Sequence, residues 1–283
     1  MFLNFLPLLL ALNSSPVISQ EEQATERPFK PVPIEEAHSV SGQSYDVDFS
    51  PESIKVFIWN IKKSEMPTWK EEFLSIGQDK DLFIIQEAYR KDLFNETAAK
   101  FTDVRWDMGI SFLYTLINNT PTGTMIGSKV RPTEVLIQHS QDLEPVVFTP
   151  KAITFAKYAI EKHQKELLVI SVHGINFTSF GAFKRQMIQA RDYIKKHDGP
   201  VLFAGDFNTW TNERTEFLER LVWRLGLKAV EFKNGNRRMV GRFTNNYLDH
   251  SFIRGLSVKN AEVLPDASGS DHKPLVLEVS VTR

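Results

Sequence analysis

The chain of 283 residues has a formal net charge of −1 and no cysteine. The missing thiol excludes disulfides, thiolate metal sites and cysteine nucleophiles, so a metal must be held by Asp, Glu, His or Asn, whose donors suit a hard cation such as magnesium or manganese. The near-zero charge excludes a global electrostatic footprint for nucleic acid and leaves only a local patch for that role.

Phe2 to Leu12 is mostly apolar but too short to span a bilayer, and Val17-Ile18-Ser19 offers a cleavage site. Residues 1–19 are read as a secretory signal, which predicts a secreted or periplasmic protein; an uncleaved anchor is the alternative. Residues 20–50 are polar, with Pro28, Pro31 and Pro33 close together, and read as an extended arm. The folded domain is expected over 51–283.

Ile54 to Asn60 reads as a strand with Ile54, Val56, Ile58 and Asn60 on one face. Trp69 to Ile76 fits a short helix. Asp81 to Glu87 is the next strand, with Phe83, Ile85 and Glu87 sharing a face. Residues 103–158 read as short strands joined by turns, among them Thr124–Ser128, Glu134–Gln138 and Lys151–Tyr158. Glu166 to His173 is a buried strand. Phe183, Met187, Ala190 and Ile194 lie on one helical face.

Val201 to Asn208 is the stretch on which the reading turns: four apolar residues, then Gly205, Asp206, Phe207 and Asn208. A strand here places Asp206 and Asn208 on one face at its end, and Gly205 admits a close backbone or ligand. A second amphipathic helix runs over Phe217 to Leu225. The turn at Arg237, Arg238 and Arg242 concentrates positive charge and is either solvated or a phosphate contact. Asn246 to Ile253 reads as a strand, with Val258 to Leu264 as its expected partner. Ser268 to Pro274 is a loop, and Leu275 to Val281 is a further strand.

Polar residues therefore end five strands: Asn60, Glu87, His173, Asp206 with Asn208, and Asp249. Asp271-His272 sits in a loop that enters a sixth. Carboxylates for a hard metal, imidazoles for proton transfer and amides to orient oxygens form a coherent set.

Ile58-Trp59-Asn60, Gln86-Glu87, Val172-His173, Gly205-Asp206-Phe207-Asn208, Leu248-Asp249 and Ser270-Asp271-His272 occur in that order. Over about Ser53 to Val281 the chain resembles the endonuclease/exonuclease/phosphatase superfamily, which includes DNase I, neutral sphingomyelinases and inositol polyphosphate 5-phosphatases. Around His173-Gly174-Ile175-Asn176-Phe177 and the Arg-rich turn it is most similar to a poorly characterised bacterial branch. The resemblance implies an α/β fold, a four-layer α/β sandwich of two mixed β-sheets packed face to face with helices outside. It implies Glu87 as principal magnesium ligand, with Asn60 and Asp271, and manganese as the alternative ion. It implies His272 oriented by Asp249, Asp206 and Asn208 against the attacking water and the phosphate, and His173 at the phosphate or leaving group. Asn176, Lys151, Arg238 and Arg242 are the expected substrate contacts.

The reading is a monomeric, metal-dependent phosphodiesterase, with nucleic acid as first substrate class. A lipid or inositol phosphoester hydrolase and an inactive binding module are the alternatives. Phe177-Thr178-Ser179-Phe180 is the one apolar loop that the sequence offers for a lipid.

Overall fold

The computed structural model describes residues 28–234 and 246–282. The expected signal over 1–19 and the Arg237, Arg238 and Arg242 turn lie outside them. The stretch read as an arm is partly laid onto the domain. Phe29–Pro31 (β1) and His38–Gly42 (β2) are strands. Val32 and Ala37 are buried between them, and His38 pairs with the buried Asp107 at 2.9 Å. The prolines did not prevent this, because an edge strand tolerates their missing donors.

Ile54–Asn60 (β3) leads through helix Trp69–Gly77 (α1) to its parallel neighbour Leu82–Tyr89 (β4). Helix Asp92–Ala98 (α2) precedes the hairpin of Arg105–Tyr114 (β5) and Thr120–Ser128 (β6). The five residues 115–119 close that hairpin; in its last turn, where Thr120 N donates to the Ile117 carbonyl, Asn118 and Asn119 take left-handed φ of 49° and 52°, a conformation asparagine tolerates. Strands β1 and β2 both pair antiparallel with β5.

The chain then builds a second sheet from Glu134–His139 (β7), Ala152–Tyr158 (β8), Leu167–His173 (β9), Val201–Asp206 (β10), Lys228–Ala229 (β11) and Asp249–Arg254 (β12). Helices Phe180–Ile194 (α3) and Asn212–Arg224 (α4) flank β10 in sequence. Leu256–Val263 (β13) and Leu275–Val281 (β14) return to the first sheet, where β14 lies beside β3.

The expected pairing of Val258–Leu264 with the preceding strand does not form. β12 pairs with β10 and β11, and β13 pairs with β14. Gly255, at φ 64°, turns the chain out of one sheet into the other.

The sheets pack face to face through the inward faces of their strands. Ile54, Val56 and Ile58 meet Leu167, Val169, Leu202 and Ala204 there. Each such side chain contributes about 1.5–3 kcal/mol relative to exposure. Outside the first sheet, Trp69, Phe73 and Phe94 of α1 and α2 pack on Phe57, Phe83 and Trp106. Outside the second, Phe183, Met187, Leu218 and Leu221 of α3 and α4 cover Phe155 and Phe203. The result is the four-layer α/β sandwich expected from the sequence.

Helix α4 starts five residues before the apolar face that marks it in sequence, because Thr211 caps it by accepting from Arg214 N. Thr211→Ala should cost about 1 kcal/mol, measured by denaturant unfolding with the slope unchanged.

Candidate active site

The site lies where the inward faces of both sheets run out of apolar residues. On β3, Asn60 continues the face of Val56 and Ile58; on β10, Asp206 continues Leu202 and Ala204; on β9, His173 continues Val169 and Ser171. Asp249 opens β12 two residues before Ser251, on the face of Ile253. Alternation thus delivers four buried polar side chains from both sheets to one edge. Asn60 Nδ2 donates to Asp206 Oδ2 at 2.9 Å, and His173 Nε2 stands 3.6 Å from the same oxygen. Gly205 makes the approach possible. A Cβ there would lie 2.2 Å from the Val172 carbonyl oxygen and 2.9 Å from Gln86 Nε2.

Glu87 arrives by a different route. Phe83 and Ile85 face the outer helices, so strict alternation would send Glu87 there too. Instead the pairing of β4 with β6 slips between Ile85 and Ala88, and Glu87 takes a φ of 51°. The bulge re-aims the carboxylate into a cleft of about 130 Å³ that Lys63, Tyr114, Lys151 and His173 also line. Gln86 points the other way and donates to Ser171 Oγ across the sheet interface at 3.1 Å.

Lys62, Lys63 and Ser64 follow Asn60 as a short 3₁₀ turn with φ of 44°, 57° and 61°. This turn places Lys63 Nζ 3.1 Å from Glu87 Oε2 and Lys62 Nζ 3.5 Å from Asp271 Oδ2. Burial favours a neutral Glu87, but Lys63 above all, with His173 and Lys151, holds its carboxyl down at about 2.

The loop before β14 is pinned by β3 and α1. Ser270 Oγ donates to the Asn60 carbonyl at 2.7 Å, Trp59 Nε1 donates to the His272 carbonyl at 2.9 Å, and Glu72 accepts from Ser268 N and Gly269 N. His272 is thereby held between two carboxylates. Its Nδ1 is 2.8 Å from Asp249 Oδ2, and its Nε2 is 3.7 Å from Asp206 Oδ2. Burial opposes the imidazolium, yet Asp249 and Asp206 outweigh it and raise His272 to about 10. Burial raises Asp206 to about 6, against the pull of His272 and with the push of Asp249. Burial, helped by Lys151, keeps His173 well below its ordinary value. At neutral pH the edge therefore carries a charged His272, a neutral His173 and a carboxylate at Asp206 suited to take up a proton.

The structure thus brings Asn60, His173, Asp206, Asp249 and His272 together, with Glu87 and Asp271 beside them. Asn208 lies beyond the end of β10 at φ 52°. Its Nδ2 donates to the Gly174 carbonyl, its Oδ1 accepts from Trp210 Nε1, and its backbone N donates to Asp206 Oδ1. Its side chain braces the neighbouring turn. Lys151 lines the cleft and pairs with Glu144 at 3.3 Å, while Asn176 donates its backbone N to Glu144 at 2.8 Å. Lys62, Lys63 and Glu144 were missed in the sequence. The two lysines one residue beyond a strand-end amide were a usable signal; Glu144, in a loop, carried none.

The sequence pattern of the Endonuclease/Exonuclease/phosphatase family matches residues 57–272. The fold and this match define the class as hydrolases of phosphoric esters. The chain belongs to the endonuclease/exonuclease/phosphatase family. A protein of Vibrio cholerae serotype O1 described as a UPF0294 protein is 33% identical over 238 residues, 83% of this chain and 80% of that protein. The structure of an endonuclease/exonuclease/phosphatase from Beutenbergia cavernae is similar at a TM-score of 0.65 with 16% identity, covering 82% of this chain and 72% of that one. That of D. rerio TDP2, complexed with a single-strand DNA product, is similar at 0.57 with 14% identity, covering 81% and 99%.

Proposed function

We propose that the chain hydrolyses a phosphodiester with the help of a divalent hard cation, and that Asp206 is the proton acceptor. The observation that carries this is the line Asn60–Asp206–His272–Asp249, built from both sheets and buried beside the cleft that holds Glu87, with His173 lining that cleft and standing next to Asp206.

Two groups of side chains compete for the cation. Asp206, Asp249 and His272 bring one ligand atom each within 4.8 Å of one another, but these atoms already serve one another, and the charged His272 repels a cation. Glu87 and Asp271 fit better. Each is an oxygen donor already facing a cation, the ammonium of Lys63 or Lys62, and Asn60 Oδ1 adds a neutral donor, now accepting from Lys62 N at 3.1 Å. Magnesium is the ion such donors suit, with manganese the alternative. Such an ion, when bound, offsets the charge that grows on the phosphate oxygens.

The protein's own groups supply the rest. Asp249 holds the charge and direction of His272, whose Nε2–H then faces the reacting edge as a preorganised positive donor. Asp206 accepts the proton of the attacking water through whichever lone pair Asn60 and Asn208 leave open. His173, neutral, stands beside the same Asp206 oxygen and lines the cleft, where it can offer a hydrogen bond to the phosphate. No covalent intermediate is required.

Plasmid DNA, RNA, phospholipid vesicles and bis(p-nitrophenyl) phosphate, each with and without magnesium, form the test panel. Nucleic acid is included for the sequence reading and for the neighbour solved with a DNA product, and phospholipid as the other phosphodiester class. Activity on whichever member responds should rise with pH through about 6, as Asp206 loses its proton, and hold its plateau until His272 discharges near 10. A rate independent of pH between about 5 and 7 removes Asp206 as the acceptor. Export rests on residues 1–19 alone; among the described residues no helix is long and apolar enough to cross a membrane.

A further inference from the structure

Three loops at the mouth of the cleft end in large apolar side chains that face solvent. Leu116, in the β5–β6 hairpin, is 80% exposed, Val146 in the β7–β8 loop 78%, and Phe177 in the loop after β9 76%. Their chain neighbours tie all three to one opening. Tyr114, two residues before Leu116, and Val147, next to Val146, line the cleft that contains Glu87 and His173. Phe177 follows Asn176, whose backbone N donates to Glu144 on the same cleft wall.

Scattered exposed apolar residues are ordinary; several converging on the entrance of a catalytic cleft are not. The backbone also holds Phe177 out at a cost. It sits at φ 49°, a region an aromatic residue rarely adopts, for about 1–3 kcal/mol. The hairpin presents Leu116 next to a turn formed by the left-handed Asn118 and Asn119.

Charge at the entrance argues against a polyanion. Among the described residues, both lysines lining the cleft are paired, Lys63 with Glu87 and Lys151 with Glu144. A nucleic-acid backbone is held by cations that neutralise successive phosphates, and this mouth offers apolar surface and balanced charge instead. What must reach the cleft is a phosphodiester; what would cover the rim is hydrocarbon. A molecule with both is a phospholipid in a bilayer, with the rim sunk to the headgroup boundary.

We infer that Leu116, Val146 and Phe177 form a lipid-contacting rim that seats the cleft on a membrane surface, so that its substrate is a phosphodiester presented by a lipid. The inference rests on the phosphodiesterase reading for the substrate, but the rim is testable without it.

The full chain is floated with phosphatidylcholine vesicles, alone and mixed with phosphatidylglycerol, with EDTA present so that no turnover is needed. Leu116→Gln, Val146→Gln and Phe177→Gln are compared singly and together, with thermal melting to confirm that each folds. The wild type should float with the vesicles, and each substitution should weaken partitioning about tenfold. On vesicle substrate with magnesium, the triple variant should lose at least about tenfold more activity than on bis(p-nitrophenyl) phosphate. Vesicle binding without hydrolysis of any phosphoester supports the rim and sinks the proposed function. No binding of the wild type to either vesicle overturns the rim, whatever is hydrolysed. So does a result in which these substitutions weaken single-stranded DNA binding while vesicles are ignored, since the three side chains are then a stacking platform for bases.

Discussion

Asp206→Asn should lower turnover of a soluble phosphodiester by roughly two to four orders of magnitude, the scale of a lost general base, with little loss of stability. The separation of the two effects is what makes the variant informative. The fold disfavours the Asp206 charge, which is why its carboxyl rises to about 6. An amide of the same shape removes that buried charge and still accepts from Asn60 Nδ2 or Asn208 N. His272→Gln should lose a similar amount of activity but melt earlier. It leaves Asp249 and Asp206, both buried, without the cation between them, and a buried pair broken on one side costs about 3–5 kcal/mol. Turnover and melting temperature measured on both variants distinguish chemistry from collapse. An Asp206→Asn protein with near wild-type turnover would return the proton to another group.

Glu87→Gln should fail in a way that metal repairs. Removing a unit charge from beside a bound cation weakens binding on the order of a hundredfold or more, so calorimetric magnesium affinity should fall while excess magnesium restores part of the activity. Asp206→Asn should show no such rescue. The same variant carries a second signature. Glu87 has a folded value of about 2, below its ordinary 4.5. A depressed carboxyl contributes stability that is complete above about 4.5 and is lost as pH falls towards 2. In Glu87→Gln the acid-side loss of melting temperature should therefore be shallower than in wild type. If both magnesium affinity and the acid limb are unchanged, the cation lies elsewhere.

What could be read from the sequence followed from period two. Asn60, His173, Asp206 and Asp249 each continue an apolar inward face, so alternation alone placed them at one edge. Asp271 and His272 were legible by order and not by geometry, since a loop has no period. Glu87 does reach the cleft, but not by the face expected for it. The face it shares with Phe83 and Ile85 in the sequence leads to the outer helices, and a bulge that no residue type announces turns it back. Asn208 failed in the opposite sense, because the strand stops at Asp206 and a left-handed residue redirects the amide. The pairing of β12 with β13 was misread because a glycine between two apolar strands looks like a hairpin until the sheets are known. The exposed rim was half visible: Phe177 was singled out, while Leu116 and Val146 resemble any other core residue, and exposure is a property of the fold.

The order in which the chain fills the first sheet sets when the proposed site is complete. Strands β3 to β6 come early and β7 to β12 then make the second sheet, but β14 beside β3 is laid down only afterwards. Asp271 and His272 come with that returning pair. A chain that stops before them lacks Leu275, Leu277 and Val279 from the core between the sheets, and on the proposed function it would carry Glu87, Asp206 and Asp249 without His272. On that reading the reacting edge is completed only by the closing strands, so the same step that seals the sheet beside β3 also delivers the group that would complete the chemistry.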